Sequence, residues 1–319
     1  MSQSGATGRV LVVAADGGNS KTDLILATAT GDVLAQVRGA GTRRDAGLPA
    51  SAMHPVLTEL TSQAVEEAGL PDDTVVDVGV FFCANVDTEE ERKSLGAALA
   101  ATGRFGHLEL GNDTMAVLNA GAVDGWGIAI VTGAGINAVA VDRAGRTESF
   151  LAMGRCSGDL GGGGWVAEEG QAAAIRAVDG RGPATMLTRL IPEFFGLADP
   201  YQVALAVANA DIPWSRMLHA CPVVYRAAEA GDEVARAIIE TQADEVGTMV
   251  EALAKRLAMD GSVPVVLGGG VMTHAGALNR AIVTEALHRH LPTAEPIFLT
   301  VAPVQGSLAR ALRLANQPV

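Results

Sequence analysis

Aromatic residues are scarce in this chain of 319 residues, since Phe, Trp and Tyr together make up 4% of it. Hydrophobic residues nonetheless account for 49%, so any packed core must be built from Ala, Val, Leu and Ile. The length favours two domains, because single cores rarely grow beyond about 250–300 residues.

Cysteines, basic residues and long apolar runs are also scarce. Three widely spaced cysteines exclude a disulfide framework and show no zinc-binding spacing. The net charge of -13 repels a phosphate backbone and argues against nucleic-acid binding. No apolar run reaches the roughly 18–20 residues of a membrane span, and residues 1–9 lack the apolar core of a signal peptide. We therefore expect a soluble, cytoplasmic protein without a membrane partner.

A layout of strand, glycine loop, strand, turn and strand occurs twice. The first copy has its loop at Asp16–Thr22 and the second at 132–137. The strands predicted around these loops cover 10–15, 23–29, 33–37, 128–131, 138–141 and 147–151. The repeat indicates two similar domains that arose by internal duplication.

The remaining chain alternates between helices and strands. Apolar periodicity and the capping box at Thr88–Glu91 predict the helices. These cover 53–68, 88–101, 114–122, 168–178, 232–257, 277–291 and 304–315, with a largely helical stretch from 184. Further strands are predicted at 75–82, 108–110, 263–267 and 296–300. The fold class is therefore α/β.

Three glycine-rich loops each follow a short apolar strand, at 16–22, 133–137 and 268–270. Glycine lets backbone N–H groups approach an anion closely. An acidic protein that binds a triphosphate needs neutral donors of this kind. Ordinary turns are the alternative for any one loop, since the chain has 38 glycines, but they explain the full set and the duplication poorly.

Two other glycine motifs are disfavoured. The Walker A spacing, Gly-x-x-x-x-Gly-Lys-Ser/Thr, does not occur in the sequence. The stretch Gly133–Ala138 fits the dinucleotide fingerprint Gly-x-Gly-x-x-Ala, which requires a helix next. Residues 138–141 are typical of a strand instead, which argues against a nicotinamide enzyme.

The loop Asp16–Thr22 resembles the first phosphate loop of the sugar kinase, Hsp70 and actin superfamily. The layout of nearly the whole chain is similar to the branch that contains N-acetylglucosamine kinases and the BadF/BadG/BcrA/BcrD ATPases. The other matching segments are the catalytic segment Gly111–Asp113, the second phosphate loop 133–137, the substrate-side segments 158–159 and 179–183, and the adenosine loop 267–271.

This resemblance implies two RNase H-like, actin-like ATPase domains flanking an ATP cleft. One domain would comprise residues 1–118 plus a C-terminal helix at about 302–319, and the other residues 119–301 with a helical insertion. The implied reaction transfers the γ-phosphate of ATP to a hydroxyl of an amino sugar, N-acetylglucosamine or glucosamine, with Mg²⁺. A small-molecule substrate and a homodimer are implied as well.

The resemblance also implies a role for each site residue. Asp113 would be the catalytic base, and Asp16 would hold Mg²⁺. The residues implied in nucleotide binding are Gly17, Gly18, Asn19, Ser20, Lys21, Thr22, Thr132, Gly133, Ala134, Gly135, Gly268, Gly269 and Gly270. Those implied in substrate binding are Thr42, Arg43, Asn112, Asp113, Gly158 and Asp159.

Each of these roles has a structural alternative. Asp16 is also suited to capping its loop at the end of a strand. Asp113 is also suited to the first turn of a helix, where the helix dipole favours an acid. The alternative for Asp159 is a solvated turn residue, although substrate binding is preferred. For Lys21, an exposed lysine in a turn fits equally well.

The chain departs from the family pattern on the substrate side. Ala134 and Ile136 replace two hydroxyl residues of the second phosphate loop, so backbone groups must provide the contacts there. Arg43 and Arg44 stand where asparagine is common, and Leu160 replaces a glutamate. These changes weaken the N-acetylglucosamine assignment more than the kinase assignment. An arginine at 43 or 44 would suit an acidic or phosphorylated substrate, or would simply be solvated.

Two other functions fit the same fold. A BadF-type ATPase activator of a reductase would hold an iron–sulfur cluster between subunits, but the cysteines form no cluster motif. A non-catalytic sugar sensor is disfavoured because both Asp16 and Asp113 are present.

Overall fold

The structure is a computed structural model that describes residues 9–43, 47–274 and 276–317. Over these residues the chain forms ten strands and twelve α-helices. The strands are β1 Leu11–Gly17, β2 Lys21–Thr28, β3 Val33–Ala40, β4 Val76–Cys83, β5 Phe105–Gly111, β6 Gly127–Thr132, β7 Ile136–Val141, β8 Thr147–Ser149, β9 Val263–Gly268 and β10 Ala294–Phe298. The helices are α1 His54–Glu67, α2 Glu89–Ala100, α3 Thr114–Gly121, α4 Gly163–Val178, α5 Leu187–Phe195, α6 Pro200–Ala208, α7 Trp214–Met217, α8 Cys221–Glu229, α9 Glu233–Arg256, α10 Gly269–Thr273, α11 Ala277–His290 and α12 Val304–Ala315.

The chain divides into two compact units. Unit 1 contains the residues up to Trp126 together with those from Leu299 onwards, and unit 2 contains Gly127–Phe298. The boundary predicted after residue 118 would cut through α3. The structure keeps α3 whole in unit 1, where Gly306 of α12 packs directly on the backbone of Ala116.

The sheet of unit 1 has the strand order β3-β2-β1-β4-β5. β2 pairs antiparallel with β1 and β3, whereas β4 pairs parallel with β1 and β5. Both faces of β1 are buried, because alternate side chains point to opposite sides of a strand. Val13 and Ala15 pack into one core with α1, and Val12 and Ala14 pack into another with α12.

Unit 2 repeats this topology. Its sheet has the order β10-β9-β6-β7-β8, so β6 occupies the central position that β1 occupies in unit 1. The antiparallel pairs β6–β7 and β7–β8 and the parallel pairs β6–β9 and β9–β10 match as well. The predicted α/β class and internal duplication are confirmed.

Local patterns predict several elements well. The capping box is present: Thr88 Oγ1 accepts the N–H of Glu91, and the Glu91 carboxylate accepts the N–H of Thr88 at 3.0 Å. The long helix predicted at 232–257 is α9, capped by Asp232, which accepts the N–H of Ala235 at 2.8 Å. No helix in the described parts of the chain is long and apolar enough to cross a membrane.

Several elements differ from the prediction. The helix predicted at 168–178 begins five positions earlier, at Gly163. The glycines at 268–270 end β9 and open the short helix α10. β5 is longer than predicted and β8 is shorter. Glycine-rich segments are poor helix formers on their own, and tertiary packing overrides that preference here.

Candidate functional site

The first glycine loop is a tight turn between β1 and β2. β1 continues to Gly17, which pairs with Thr22 of β2, so residues 18–21 make the turn. It is closed by a bond of 2.9 Å from the N–H of Gly18 to the carbonyl of Lys21. Asn19 is exposed, as are Ser20 and Lys21, and all three are available to a ligand. Thr22 is fully buried, and its hydroxyl has no hydrogen-bond partner within the described residues.

Thr42, predicted to bind substrate, holds this turn from behind. Its hydroxyl donates to the carbonyl of Gly17 at 3.0 Å, and its N–H donates to the carbonyl of Gly18 at 2.9 Å. The side chain is 1% exposed, so it faces the loop and not solvent. Cys83 packs on the same side, since a Cβ at position 17 would lie 2.7 Å from its Sγ and 2.9 Å from Cγ2 of Thr42. Glycine at 17 is therefore required by close approach.

Asp16 lies at the end of β1, directly opposite Asp23 of β2. Burial first, then the charges of Asp113 and Asp23, raise the pKa of Asp16 to about 7, while Lys21 acts in the opposite direction. Asp23 is itself paired with Arg38 at 2.5 Å and with Lys21 at 3.7 Å. Asp23 is therefore paired with two cations, whereas the pKa of Asp16 stays raised despite Lys21.

Asp113 lies between β5 and α3, level with Asp16, because Gly111 and Asp16 both pair with Phe82 of β4. The neighbouring Asn112 makes the capping contacts. Its amide oxygen accepts the N–H of Thr114 at 2.9 Å, and its amide nitrogen donates to Asp87 at 2.6 Å. Burial, followed by the charge of Asp87, raises the pKa of Asp113 to about 6.

Asp16 and Asp113 thus bring two carboxylates to one end of the unit 1 sheet. Within the described residues, no group of three or more His, Cys, Asp or Glu side chains is placed to hold a metal ion. Mg²⁺ commonly takes only one or two carboxylates and keeps several waters. Burial is the largest cause of the raised pKa of both carboxylates. A bound cation would favour their ionised forms, and their oxygen atoms fit a hard divalent ion.

The second glycine loop joins β6 and β7 in unit 2 and packs against the start of α4. The N–H of Gly163 donates to the carbonyl of Gly133 at 2.8 Å, and the N–H of Gly164 donates to the carbonyl of Ala134 at 2.9 Å. A Cβ at position 162 would lie 2.6 Å from the Cα of Gly135. The glycines before and in α4 therefore serve close backbone packing. Ala134 and Gly135 are exposed.

The third glycine segment meets the second at Thr132. Gly269 has φ +85, and a Cβ there would lie 2.5 Å from the carbonyl oxygen of Thr132, so a larger residue is excluded on two grounds. Thr132 is fully buried, and its hydroxyl has no partner among the described residues. Gly270 is exposed at the start of α10. Unit 2 therefore brings together three glycine segments from distant parts of the sequence.

A cavity of about 440 Å³ opens beside these glycines. One wall consists of glycine-loop backbone and α10, and the other consists of α8. Its lining residues are Gly133, Ala134, Gly163, Leu218, His219, Cys221, Pro222, Tyr225, Arg226, Glu229, Gly270, Val271, His274 and Gly276. Sequence reasoning missed the α8 wall, because its residues form no local motif. The mixture of apolar wall and a few polar groups is typical of a small-molecule pocket.

Asp159 lies in unit 2 in the turn before α4. Its Oδ2 accepts the N–H of Gly154 at 2.7 Å and the hydroxyl of Ser157 at 2.8 Å. Gly158, beside it, is exposed and has φ +86. The carboxylate is partly buried and held by its own loop, which fixes its position.

The remaining substrate-side positions are less defined. Arg43 is exposed, and Arg44 lies outside the described residues. Cys83 and Cys221 are buried, whereas Cys156 is exposed. Asp87 was not predicted from the sequence, because its contact with the site is a hydrogen bond accepted from Asn112, 25 positions away.

Comparison with known proteins extends these observations over the whole chain. The model of the BadF/BadG/BcrA/BcrD ATPase family matches residues 14–311. The chain is 23% identical over 322 residues to an N-acetyl-D-glucosamine kinase of Dictyostelium discoideum, covering 95% of this chain and 98% of that protein. It is 24% identical over 270 residues to an N-acetylmuramic acid/N-acetylglucosamine kinase of Clostridium acetobutylicum, covering 84% and 87%.

Solved structures show the same fold. A protein of Chromobacterium violaceum, named provisionally as an N-acetylglucosamine kinase, has a TM-score of 0.67 at 22% identity, covering 95% of this chain and 99% of that one. A ROK family glucokinase from Streptomyces griseus, solved with glucose and AMPPNP, has a TM-score of 0.55 at 17% identity, covering 95% and 98%. The predicted fold of two actin-like ATPase domains is confirmed.

Proposed function

The chain belongs to the BadF/BadG/BcrA/BcrD ATPase family, and from this premise we propose that it is an ATP-dependent kinase of an amino sugar. The reaction transfers the γ-phosphate of ATP to a hydroxyl of N-acetylglucosamine or glucosamine. Relatives that align with 95% and 84% of the chain carry the names of such kinases.

The observation that carries the proposal is the pair Asp16 and Asp113 at one end of the unit 1 sheet. Phosphoryl transfer depends mainly on alignment and on charge stabilisation, with one carboxylate accepting the proton of the attacking hydroxyl. Two carboxylates with pKa values raised to about 7 and about 6 suit these tasks, because strongly perturbed groups cluster at functional sites.

Asp113 is the proposed base. A pKa of about 6 leaves most of the carboxylate ionised at neutral pH, yet makes it more basic than an ordinary aspartate. It takes the proton from the sugar hydroxyl as the oxygen attacks the γ-phosphorus. Asn112 supports it by fixing the start of α3 through its bonds to Thr114 and Asp87.

Asp16 is the proposed ligand of Mg²⁺, either directly or through water. When bound, Mg²⁺ neutralises charge on the phosphates. The position of Asp16 at the end of β1 would fix where the ion binds. The proposed phosphate contacts are the exposed side chains of Asn19, Ser20 and Lys21 and the backbone of Gly17 and Gly18. Thr22 contributes through the strand backbone, since its side chain is buried.

In unit 2, the proposed nucleotide contacts lie at the 440 Å³ cavity. Backbone groups of Gly133, Ala134 and Gly135 are suited to phosphate, because glycine turns present N–H groups to anions. Thr132 and the segment Gly268–Gly270 bring these groups together, and the wall of the cavity next to Gly270 is suited to the adenosine.

The proposed sugar contacts are Asn112, Asp113, Gly158 and Asp159, with Thr42 acting through the phosphate turn. Carboxylate and amide oxygens accept hydrogen bonds from sugar hydroxyls. Arg43 is exposed and suits an acidic substituent, which is notable because one relative is named for N-acetylmuramic acid as well. By resemblance we also propose that the protein is a cytoplasmic homodimer. Sedimentation of the purified protein tests the dimer.

The experiment is ATP turnover with purified protein across glucosamine, N-acetylglucosamine, N-acetylmuramic acid, N-acetylgalactosamine and glucose, in the presence of Mg²⁺. Formation of ADP should depend on one or more of the amino sugars, and a phosphorylated sugar should be found by mass spectrometry. ADP formation that no sugar increases would contradict the proposal. If that hydrolysis came with iron in anaerobically purified protein, the reductase-activator function would be favoured.

A further inference from the structure

A buried glutamine in unit 2 links the wall of the cavity to the turn that carries Asp159. Gln242 lies in the middle of α9 and is 0% exposed. Its side-chain amide makes two hydrogen bonds to distant parts of the chain, one with the hydroxyl of Tyr225 and one with the carbonyl of Gly161. No part of the site described above uses this residue.

The chemistry of the three groups fixes the direction of both bonds. The carbonyl of Gly161 can only accept, so the NH₂ group of Gln242 must face it. The amide oxygen then faces Tyr225 and can only accept, so the tyrosine hydroxyl must donate. Burial raises the pKa of Tyr225, which keeps the proton on the hydroxyl. Any group that reaches the phenolic oxygen from the cavity therefore meets an acceptor.

The Tyr225 end of the link lies at the cavity. Tyr225 is on α8, lines the cavity and is partly buried. Cys221, one turn earlier on α8, lines the same wall. A change in the orientation of the Tyr225 ring would alter the space next to the glycine loops, so the bond to Gln242 holds that wall in one position.

The Gly161 end lies at the substrate-side turn. Gly161 has φ +88, and a Cβ there would lie 3.3 Å from the Cγ of Gln242, so the glutamine packs directly on the glycine. Asp159 lies two residues before Gly161. Gly163 and Gly164, just after it, donate their N–H groups to the loop 133–135. The position of Gly161 thus affects both Asp159 and the phosphate loop of unit 2.

We propose that Gln242 is a positioning residue for phosphoryl transfer, which sets the Tyr225 wall of the nucleotide cavity and the Asp159 turn of the sugar site through one amide. The inference rests on the proposed function for the identity of the two ligands. The link makes the two binding sites depend on the same side chain, although Gln242 touches neither ligand.

Three substitutions separate this role from simple stabilisation. Gln242→Met keeps the shape and removes both bonds, and should raise KM for ATP and KM for the amino sugar, each by about three- to tenfold, in line with the loss of one hydrogen bond per site. Tyr225→Phe removes one bond and should raise KM for ATP alone. Gln171→Met is the matched control, because Gln171 also joins two helices of unit 2 by donating its amide, to the carbonyl of Pro200 at 2.8 Å, away from the cavity.

The control should lower Tm and leave both KM values unchanged. The inference is overturned if Gln242→Met lowers Tm with KM values equal to those of the Gln171→Met protein. If Gln242→Met does not fold, Gln242→Glu replaces it. A glutamate side chain can donate to the carbonyl of Gly161 only when it is protonated, so KM for the sugar should rise with pH. If the KM of this variant changes with pH in the same way as the KM of the unsubstituted protein, the inference is also overturned.

Equilibrium titration with ADP keeps this test separate from that of the proposed function. If the unsubstituted protein phosphorylates no sugar, the proposed function fails. Even then, a weaker ADP affinity of Gln242→Met and Tyr225→Phe than of Gln171→Met would support the part of the inference that concerns Tyr225 and the nucleotide cavity. Unchanged ADP affinity in an active protein contradicts the link itself.

Discussion

Asp16 and Asp113 lie at the same end of the unit 1 sheet, and the charge of Asp113 adds to burial in raising the pKa of Asp16 to about 7. The two residues come from β1 and from the junction of β5 with α3, and β4 separates their strands. Like charges at close range disfavour simultaneous ionisation. A bound cation relieves this conflict, which connects the pair to both metal binding and catalysis.

Substitution of Asp113 by asparagine tests the proposed base. Asp113→Asn keeps the shape and removes the proton acceptor, so we expect kcat to fall by roughly 10²–10⁴ while ADP affinity changes little. Steady-state kinetics and ADP titration measure the two effects. Asp73→Asn is the control, because Asp73 is an exposed acid of the same unit, and it should be fully active. A nearly normal kcat for Asp113→Asn would remove this residue from the mechanism.

The pH dependence of activity follows from the same residue. The base must be ionised, and the pKa of Asp113 is raised to about 6. We therefore expect kcat/KM, which reports the pKa of the free protein, to be constant above neutrality and to fall tenfold per pH unit below about pH 6. A stopped assay over pH 4.5–8.5 measures the profile. An acidic limb near pH 4, where an ordinary aspartate titrates, would contradict the raised pKa.

Stability without metal should fall as the pH rises through the pKa of Asp16. For an aspartate whose pKa is raised on folding, the stabilising contribution is fully present below the unfolded pKa of about 4, is lost as the pH rises from there to about 7, and does not change further above that. From pH 5 to pH 8 the loss is on the order of 2–3 kcal/mol. Urea denaturation in EDTA at the two pH values measures it, and Asp16→Asn should abolish the difference that is due to this residue.

Mg²⁺ should reverse that loss, and more so at pH 8 than at pH 5, because the ion competes with the proton for the carboxylate. The same titrations with Mg²⁺ in place of EDTA measure this effect. A Mg²⁺-dependent stabilisation that is equal in the Asp16→Asn protein would place the ion elsewhere.

Thr42 gives a test of the first phosphate turn that does not touch the acids. Thr42→Val removes the hydroxyl that donates to the Gly17 carbonyl and leaves that buried acceptor with one partner fewer. We expect a loss of about 1–3 kcal/mol in the free energy of unfolding and a several-fold higher KM for ATP. Thr42→Ser retains the donor and serves as the control. Equal KM values for the valine and serine variants would show that the turn does not depend on this bond.

Features set by neighbouring residues could be predicted from the sequence. The duplicated hairpins, the turn after Asp16 and the capping box of Thr88 with Glu91 each depend on a pattern within a few positions. The repeated loops also allowed the fold to be assigned by resemblance. The site residues of these loops remain predictions until the variants are measured.

Features set by distant contacts could not be predicted. Gln242 bonds to Gly161 across 81 positions, and neither residue belongs to a recognisable motif. The start of α4 was placed too late, because a run of glycines has low helix propensity. It forms a helix here because its N–H groups find acceptors in Gly133 and Ala134, about 30 positions earlier in the chain.

That packing leads to a prediction for Gly162. In Gly162→Ala the new Cβ would lie 2.6 Å from the Cα of Gly135 and 2.7 Å from the carbonyl oxygen of Ala134. Both neighbours are backbone atoms and cannot rotate away, so the loop or the start of α4 must shift. We expect a loss of about 1–3 kcal/mol in stability, as for overpacked sites, and about a tenfold weaker ADP affinity.

Gly96→Ala is the control for that substitution. Gly96 lies inside α2, and a Cβ there would lie 3.2 Å from the tip of Leu110, a side chain that can yield. Alanine is favoured over glycine within a helix by up to about 1 kcal/mol, so Tm should stay the same or rise and ADP affinity should not change. If Gly162→Ala binds ADP as tightly as Gly96→Ala, the contact between α4 and the loop at 133–135 is not part of the nucleotide site.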